Sequence, residues 1–206
     1  MLTFVTSPAP YHHGDLREAL AAEAFEQVRT KGSEAVSLRA VALAVGVSAS
    51  AAYHHFPDKT ALMIEVGCRG SLELDRRTVQ AAASVRGRGK RAALERLRAC
   101  ADAYIGFARD EPRLFRHTFG ADCMEPFGTG DELTKDSASY QTLGDCLDDL
   151  DRLALLRPDS RDGLDLLVWT SVHGFASLLI EGIVPPEAAK PLLATLLGVL
   201  LESRPR

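Results

Sequence analysis

Apolar residues recur along most of this chain at the spacing of one-faced helices, and no run alternates with the period of two that a strand requires. The most sharply bounded unit is residues 37–59, SLRAVALAVGVSASAAYHHFPDK. Leu38, Val41, Ala42 and Val45 stand at i, i+3, i+4 and i+7 behind Ser37, whose side chain can cap a helix. Gly46 follows the last periodic position and can take the left-handed backbone of a tight turn. Ser48 offers a second cap, opening a short helix from Ala49 to His55. Two short helices joined by a glycine turn predict a helix-turn-helix, whose second helix can enter a DNA major groove.

The same periodicity predicts the other elements. Residues 1–10 hold two prolines and no helical period, which predicts a flexible arm. Asp15 and Glu18 form a capping-box-like pair ahead of a stripe at Leu16, Leu20, Ala24, Phe25 and Val28, and Gly32 closes that helix. Asp58 can cap a helix over residues 59–83 carrying Leu62, Met63, Val66, Leu72 and Leu74, with Gly67 and Gly70 as weak points. Residues 85–89 read as a link. A helix over 90–110 follows, with Leu94, Leu97, Ala101, Tyr104, Ile105 and Ala108 on one side and Glu111-Pro112 at its end. Pro126, Gly128 and Gly130 bound an irregular section holding Phe115, Phe119, Met124 and Phe127. Further helices are expected over 131–156, through Leu143, Leu147, Leu150, Leu153 and Ala154, then over 158–184 and 186–201. The expectation is an all-α protein in three parts: the arm 1–10, a helix-turn-helix head at 11–58, and a larger helical body at 59–206.

Composition narrows this without changing it. With 46% hydrophobic and 25% charged residues the chain has the make-up of a soluble globular protein. A formal net charge of −4 argues against nucleic-acid binding by bulk charge. Arginine and lysine gather between residues 76 and 98, and Asp131, Glu132, Asp136, Asp145, Asp148, Asp149 and Asp151 follow them. Such runs are usually solvated helix faces. Cys68, Cys100, Cys123 and Cys146 lie far apart, lack metal-type spacing, and read as reduced thiols of a cytoplasmic protein, a redox-sensing role for one being the alternative. His12-His13 and His54-His55 lack partners at ligand spacing, so neither a metal nor a cofactor is expected. The apolar tract 163–184 is interrupted by Asp165, His173 and Glu181 and reads as a buried helix, not a membrane span.

Ser37, Leu38, Arg39, Val41, Ala42, Gly46, Val47, Ser48, Tyr53, His55, Phe56, Lys59 and Leu62, with YHHGDLREAL before them, closely resemble the tetracycline-repressor (TetR) family of bacterial transcriptional regulators. Trp169, His173 and Gly174 resemble a Trp-His-Gly signature of one class of that family's C-terminal domains. The resemblance implies a homodimeric repressor with an inverted-repeat DNA operator, released by a small and largely apolar effector. Its DNA-facing candidates here are Ser37, Arg39, Ser48, Ala49, Ser50, Ala51, Tyr53, His54 and Lys59. Arg39 is the best candidate to hydrogen-bond a base, while Lys59, at a helix start, suits a phosphate. Tyr104, Phe115, Phe119, Tyr140, Trp169 and His173 are the effector candidates, although such aromatics equally make ordinary core and a histidine among them can be purely structural. The last two helices would form the dimer contact. Two competing readings are a dimeric DNA-binding protein without an inducer, and a helical enzyme using His117 or His173 with a carboxylate.

Overall fold

The computed structural model describes residues 13–120, 123, 136–157 and 161–201. The expected arm 1–10, the section around Met124 and Phe127, and the expected helix starts at Asp131 and Pro158 lie outside the described residues, as do the side chains of His12, His13 and Asp15. Nine α-helices and no strand occur among the described residues: α1 His13–Lys31, α2 Leu38–Val45, α3 Ala49–His55, α4 Lys59–Ser84, α5 Lys90–Asp110, α6 Pro112–Thr118, α7 Ala138–Arg152, α8 Leu164–Ile180 and α9 Ala189–Leu200. None of the described helices is long and apolar enough to cross a membrane. The all-α expectation therefore holds. The chain divides into two compact units, Met1–Val66 and Gly67–Arg206, and the division falls within α4.

In the first unit α1, α2 and α3 pack on one another. Leu20, Ala24, Val28, Val41, Ala52, Phe56, Leu62 and Val66 are almost wholly buried there. At roughly 25 cal/mol per Å² of apolar surface removed from water, such residues supply most of the unit's stability. Arg17 braces this core from α1. Its guanidinium lies 4.4 Å from the centre of the Phe56 ring and donates to Glu65 at 2.8 Å. The helix α1 starts at His13, two residues before Asp15.

In the second unit α5 is the centre, packed against α6, α7, α8 and α9. Three boundaries differ from the sequence reading. Phe115 lies in a helix, α6, because Pro112 at its first position has no N–H to leave unpaired and Leu114 and Phe115 bury against α5. The helix α7 stops at Arg152: Leu153 caps it and Ala154 turns to φ 50, leaving Leu156 free to make a bridge to Leu201. The helix α8 spans only Leu164–Ile180, since glycines with positive φ, Gly163 and Gly182, stand on either side of it.

Gly67 and Gly70 also have a role the sequence did not suggest. A Cβ on Gly70 would lie 2.0 Å from Thr118 Oγ1, and one on Gly67 would lie 1.8 Å from Cys123 Sγ. The two glycines are the notch in α4 against which α6 and Cys123 pack. Further along, Asp75 of α4 caps α7. Its carboxylate accepts from the backbone N–H groups of Ala138 at 3.1 Å and Ser139 at 2.8 Å, and from Ser137 Oγ at 3.2 Å. The basic and acidic runs meet at one ion pair, Arg96 with Asp149 at 3.0 Å, and Arg161, outside the basic run, pairs with Asp148 at 2.7 Å.

Candidate nucleic-acid interface and cavity

The helix-turn-helix forms as its capping residues dictate. Ser37 Oγ accepts from Ala40 N at 3.2 Å and Ser48 Oγ from Ala51 N at 3.1 Å, each satisfying an otherwise unpaired helix-start donor. Between them Gly46 sits at φ 81, where a Cβ would be strained, and its N–H bonds back to α2. The hydroxyls of Ser37 and Ser48 are thus engaged as acceptors but keep a donor for an incoming phosphate.

Helical periodicity sorts α3 into two faces. Ala52 and, just beyond the helix, Phe56 are buried, whereas Ser50, Tyr53 and His54 are exposed at i, i+3 and i+4. Ala49 and Ala51 are half-buried at its edges, and Arg39 is exposed on α2. The outward set is therefore short, polar and aromatic, and small enough at its N-terminal end for the backbone to come close to base edges. Asp58 Oδ1 caps α4 through Ala61 N at 2.8 Å. Lys59 is exposed, but its ammonium donates to the Ser33 carbonyl at 3.0 Å, tying the start of α4 to the turn after α1. A phosphate contact by Lys59 would share or replace that bond.

The six effector candidates come together in the second unit, though not as one open pocket. A cavity of ≈ 40 Å³ is walled by α4, α5, α7 and α8. Tyr104, Tyr140 and Trp169 line it, together with Thr78, Leu97, Cys100, Ala101, Ser139, Leu143, Val168 and Val172. Phe115, Phe119 and His173 do not. They pack beside it: the His173 ring stacks on Phe115 at 5.3 Å and meets Phe119 edge-on at 4.9 Å. Tyr104 and Trp169 belong to both groups, Trp169 lying 5.7 Å from His173 and 6.1 Å from Tyr140. Of the extra lining positions on α5, Leu97 and Ala101 belong to the apolar stripe that carries Tyr104, whereas Cys100 was outside that stripe. Thr78 and Ser139 had no such signal.

The Tyr104 hydroxyl stands 2.8 Å from His173 Nδ1. The phenol can donate to an unprotonated Nδ1 or accept from a protonated one. Burial holds the His173 imidazole below its ordinary pKa and raises that of the Tyr104 phenol, so both are neutral near pH 7. Asp165, which shares the face of α8 that carries Trp169 and His173, is engaged elsewhere, accepting from Arg161 at 2.5 and 3.3 Å. The surroundings of His173 are thus a phenol and aromatic rings. Among the described residues no group of three or more His, Cys, Asp or Glu is placed to hold a metal ion.

Comparison with known proteins gives two family matches. Residues 20–66 match the bacterial regulatory proteins of the tetR family, and residues 97–200 match the tetracyclin repressor-like C-terminal domain. Among solved structures, a Rhodococcus sp. RHA1 protein of unknown function is 26% identical, with a TM-score of 0.77 over 94% of this chain and 99% of that one. A TetR family transcription regulator from Marinobacter aquaeolei VT8 is 17% identical, with a TM-score of 0.64 over 91% and 96%. A candidate transcriptional regulator from Saccharomonospora viridis, in complex with choline, is 18% identical, with a TM-score of 0.67 over 92% and 100%. The comparison with curated proteins gave no match.

Proposed function

The chain belongs to the tetR family of bacterial regulatory proteins, and from that premise we propose that it is a dimeric repressor whose hold on an inverted-repeat operator is released by a small, largely apolar molecule. The observation that carries the reading is the exposed face of α3, Ser50, Tyr53 and His54, in a pair of serine-capped helices whose first, α2, carries the exposed Arg39. Arg39 offers a base-reading fork, and the serine hydroxyls, Tyr53 and Lys59 offer phosphate contacts that set register.

The effector would enter the cavity between α5, α7 and α8. Its lining contains no acid, histidine, lysine or arginine, which favours a neutral apolar body. The Tyr104–His173 pair beside it can turn to meet one polar group. A protein of similar fold, the Saccharomonospora viridis regulator, is in complex with choline, which supports a small-molecule effector here. Tyr104, Tyr140 and Trp169 here present the ring faces that also attract a quaternary ammonium. Signal transfer would run through α4. Its start is held in the first unit by Leu62 and Lys59, and its later turns carry Thr78 on the cavity wall and Asp75 on the α7 cap.

A second reading, a dimeric regulator with no effector, is favoured by one observation. At ≈ 40 Å³ the cavity is far smaller than the roughly 300–1,000 Å³ of an ordinary small-molecule pocket. The two readings part on one experiment. Native mass spectrometry of the purified protein, followed by titration of any released compound against a complex of protein and its own promoter fragment, should show a bound small molecule that dissociates the DNA. DNA binding with no such molecule, and no response to apolar or quaternary-ammonium candidates, would support the effector-free reading. Failure to bind the promoter fragment would reject both.

A further inference from the structure

Cys100 on α5 and Cys146 on α7 are far apart in sequence, yet their sulfurs lie 4.0 Å from each other. Both side chains are buried, at 6% and 3% exposure. They stand between two different spaces. Cys100 faces the apolar cavity, whereas Cys146 lines an outer groove of ≈ 410 Å³ together with Arg96, Asp145 and Asp149. The pair is therefore a partition with one sulfur on each side. A disulfide needs the sulfurs about 2 Å closer, a distance that side-chain rotation with a slight shift of neighbouring helices can cover.

The surroundings assign the two sulfurs different parts. The hydrogen bond with Cys100, and then the positive charge of Arg96, hold the Cys146 thiol below its ordinary pKa against the opposing effects of burial and nearby carboxylates. The same bond and burial push Cys100 up. Cys146, the sulfur reachable from the groove, is thus the one favoured to ionise; either sulfur can donate in the contact between them, and Cys100 Sγ can also donate to the Thr78 carbonyl at 3.9 Å. Cys123 contrasts with this: burial, and then the neighbouring Cys68, raise it to about 11.

We propose that Cys100 and Cys146 form an oxidisable dithiol, a modification site at which a hydroperoxide entering from the outer groove is reduced while the two cysteines become a disulfide joining α5 to α7. The Cys146 thiolate attacks the terminal oxygen of ROOH, forming an S–O bond as the O–O bond breaks. The departing RO⁻ takes up the proton that Cys146 released and leaves as ROH. Cys100 then attacks the sulfenic sulfur of Cys146. The S–S bond forms, the S–O bond breaks, and the hydroxyl leaves with the Cys100 proton as water. Two electrons pass from the two sulfurs to the peroxide. This inference stands independently of the effector reading.

The test uses the reduced full-length protein and hydrogen peroxide. The intact mass should fall by about 2 Da, the loss of two thiol hydrogens. Non-reducing peptide mapping should join the peptide containing Cys100 to that containing Cys146, and dithiothreitol should reverse both changes. Cys100→Ala should leave a sulfenic acid on Cys146 that dimedone traps, and Cys146→Ala should leave Cys100 unmodified at the same exposure. Joining of Cys68 to Cys123 alone, added oxygen on Cys146 with Cys100 still a free thiol, or an unchanged mass would each overturn the proposal. The wild-type mapping decides even if a variant fails to fold.

Discussion

Gly70 shows how one missing side chain shapes the second unit. The Thr118 hydroxyl occupies the place where a Cβ would stand, 2.0 Å from it, and Thr118 Oγ1 is buried with no hydrogen-bond partner among the described residues. Adding a methyl leaves nowhere for α6 to go except outward, so Gly70→Ala should destabilise the protein by about 1–3 kcal/mol despite alanine's better helix propensity. The urea midpoint measures this; a variant as stable as the parent would mean that Thr118 rotates away at no cost. His173 offers a second test at this scale. Its folded pKa is depressed by burial from the ordinary 6.5, so below that pH the unfolded chain binds a proton that the folded one resists. Its contribution is therefore steady above about pH 7 and turns against the fold as pH drops through 6.5. The groups facing its ring are Tyr104, Phe115, Phe119 and Trp169, none of them charged near neutrality. Between pH 8 and pH 5.5 the parent should lose more stability than His173→Gln; equal losses would place the titration elsewhere.

Among the elements, α4 and α7 are joined by a cap that one supplies to the other. Asp75 accepts three hydrogen bonds from the first turn of α7, a negative charge at the positive end of a helix. Asp75→Ala should cost about 1–2 kcal/mol, the upper part of the usual capping range, and Asp75→Asn should recover much of it. Ser139 and Tyr140 sit at that end of α7 and line the cavity, so the same variant should weaken effector binding beyond its effect on stability. An alanine variant with parental stability would show that Ser137 alone suffices as cap. In the head, Arg39 and Lys59 should separate sequence reading from positioning. Arg39→Ala is expected to cost roughly 1–3 kcal/mol on the operator and little on scrambled DNA. Lys59→Ala should weaken both alike and flatten the salt dependence, while also releasing the Ser33 carbonyl it now holds. Competition binding at two salt concentrations measures both, and equal losses on the two DNAs for Arg39→Ala would assign Arg39 to the phosphates.

At the scale of the whole molecule, exposed apolar side chains concentrate on the last two helices. Leu166, Leu167 and Leu178 on α8, Ile183 after it and Val199 on α9 are all at least 43% exposed. Leu167, Ser171, Gly174 and Leu178 recur at i, i+4, i+7 and i+11, a stripe with small residues at its middle that lets a second helix approach closely. A twofold contact of α8 and α9 from two chains would cover it. Leu178→Glu should then shift the protein to monomers in sedimentation and abolish tight operator binding, because a single head holds half of the DNA contacts. A monomeric variant that still binds the operator tightly would remove the dimer from the mechanism.

Local signals determined the head. Ser37, Gly46, Ser48 and Asp58 act through bonds to neighbours within a few residues, so their caps and turns could be read from the order of residues alone, and the inward and outward faces of α3 followed from a period of 3.6. The long helices of the body were legible for the same reason, and their ends were not. Pro112 starts a helix instead of only ending one, and α7 and α8 are shorter than their apolar spans because Ala154, Gly163 and Gly182 turn the backbone. What tertiary structure alone decided are the meetings of distant residues. The sequence grouped six aromatic and histidine side chains as one effector site, and packing divides them between a cavity wall and a stacked cluster. It marked Gly67 and Gly70 as weak points, and they are where Cys123 and Thr118 pack closely on α4. It separated Cys100 from Cys146 by 46 positions, and α5 and α7 bring their sulfurs into contact. Periodicity specifies which face of a helix is buried; which neighbour buries it depends on the whole set of volumes that must fill the core together.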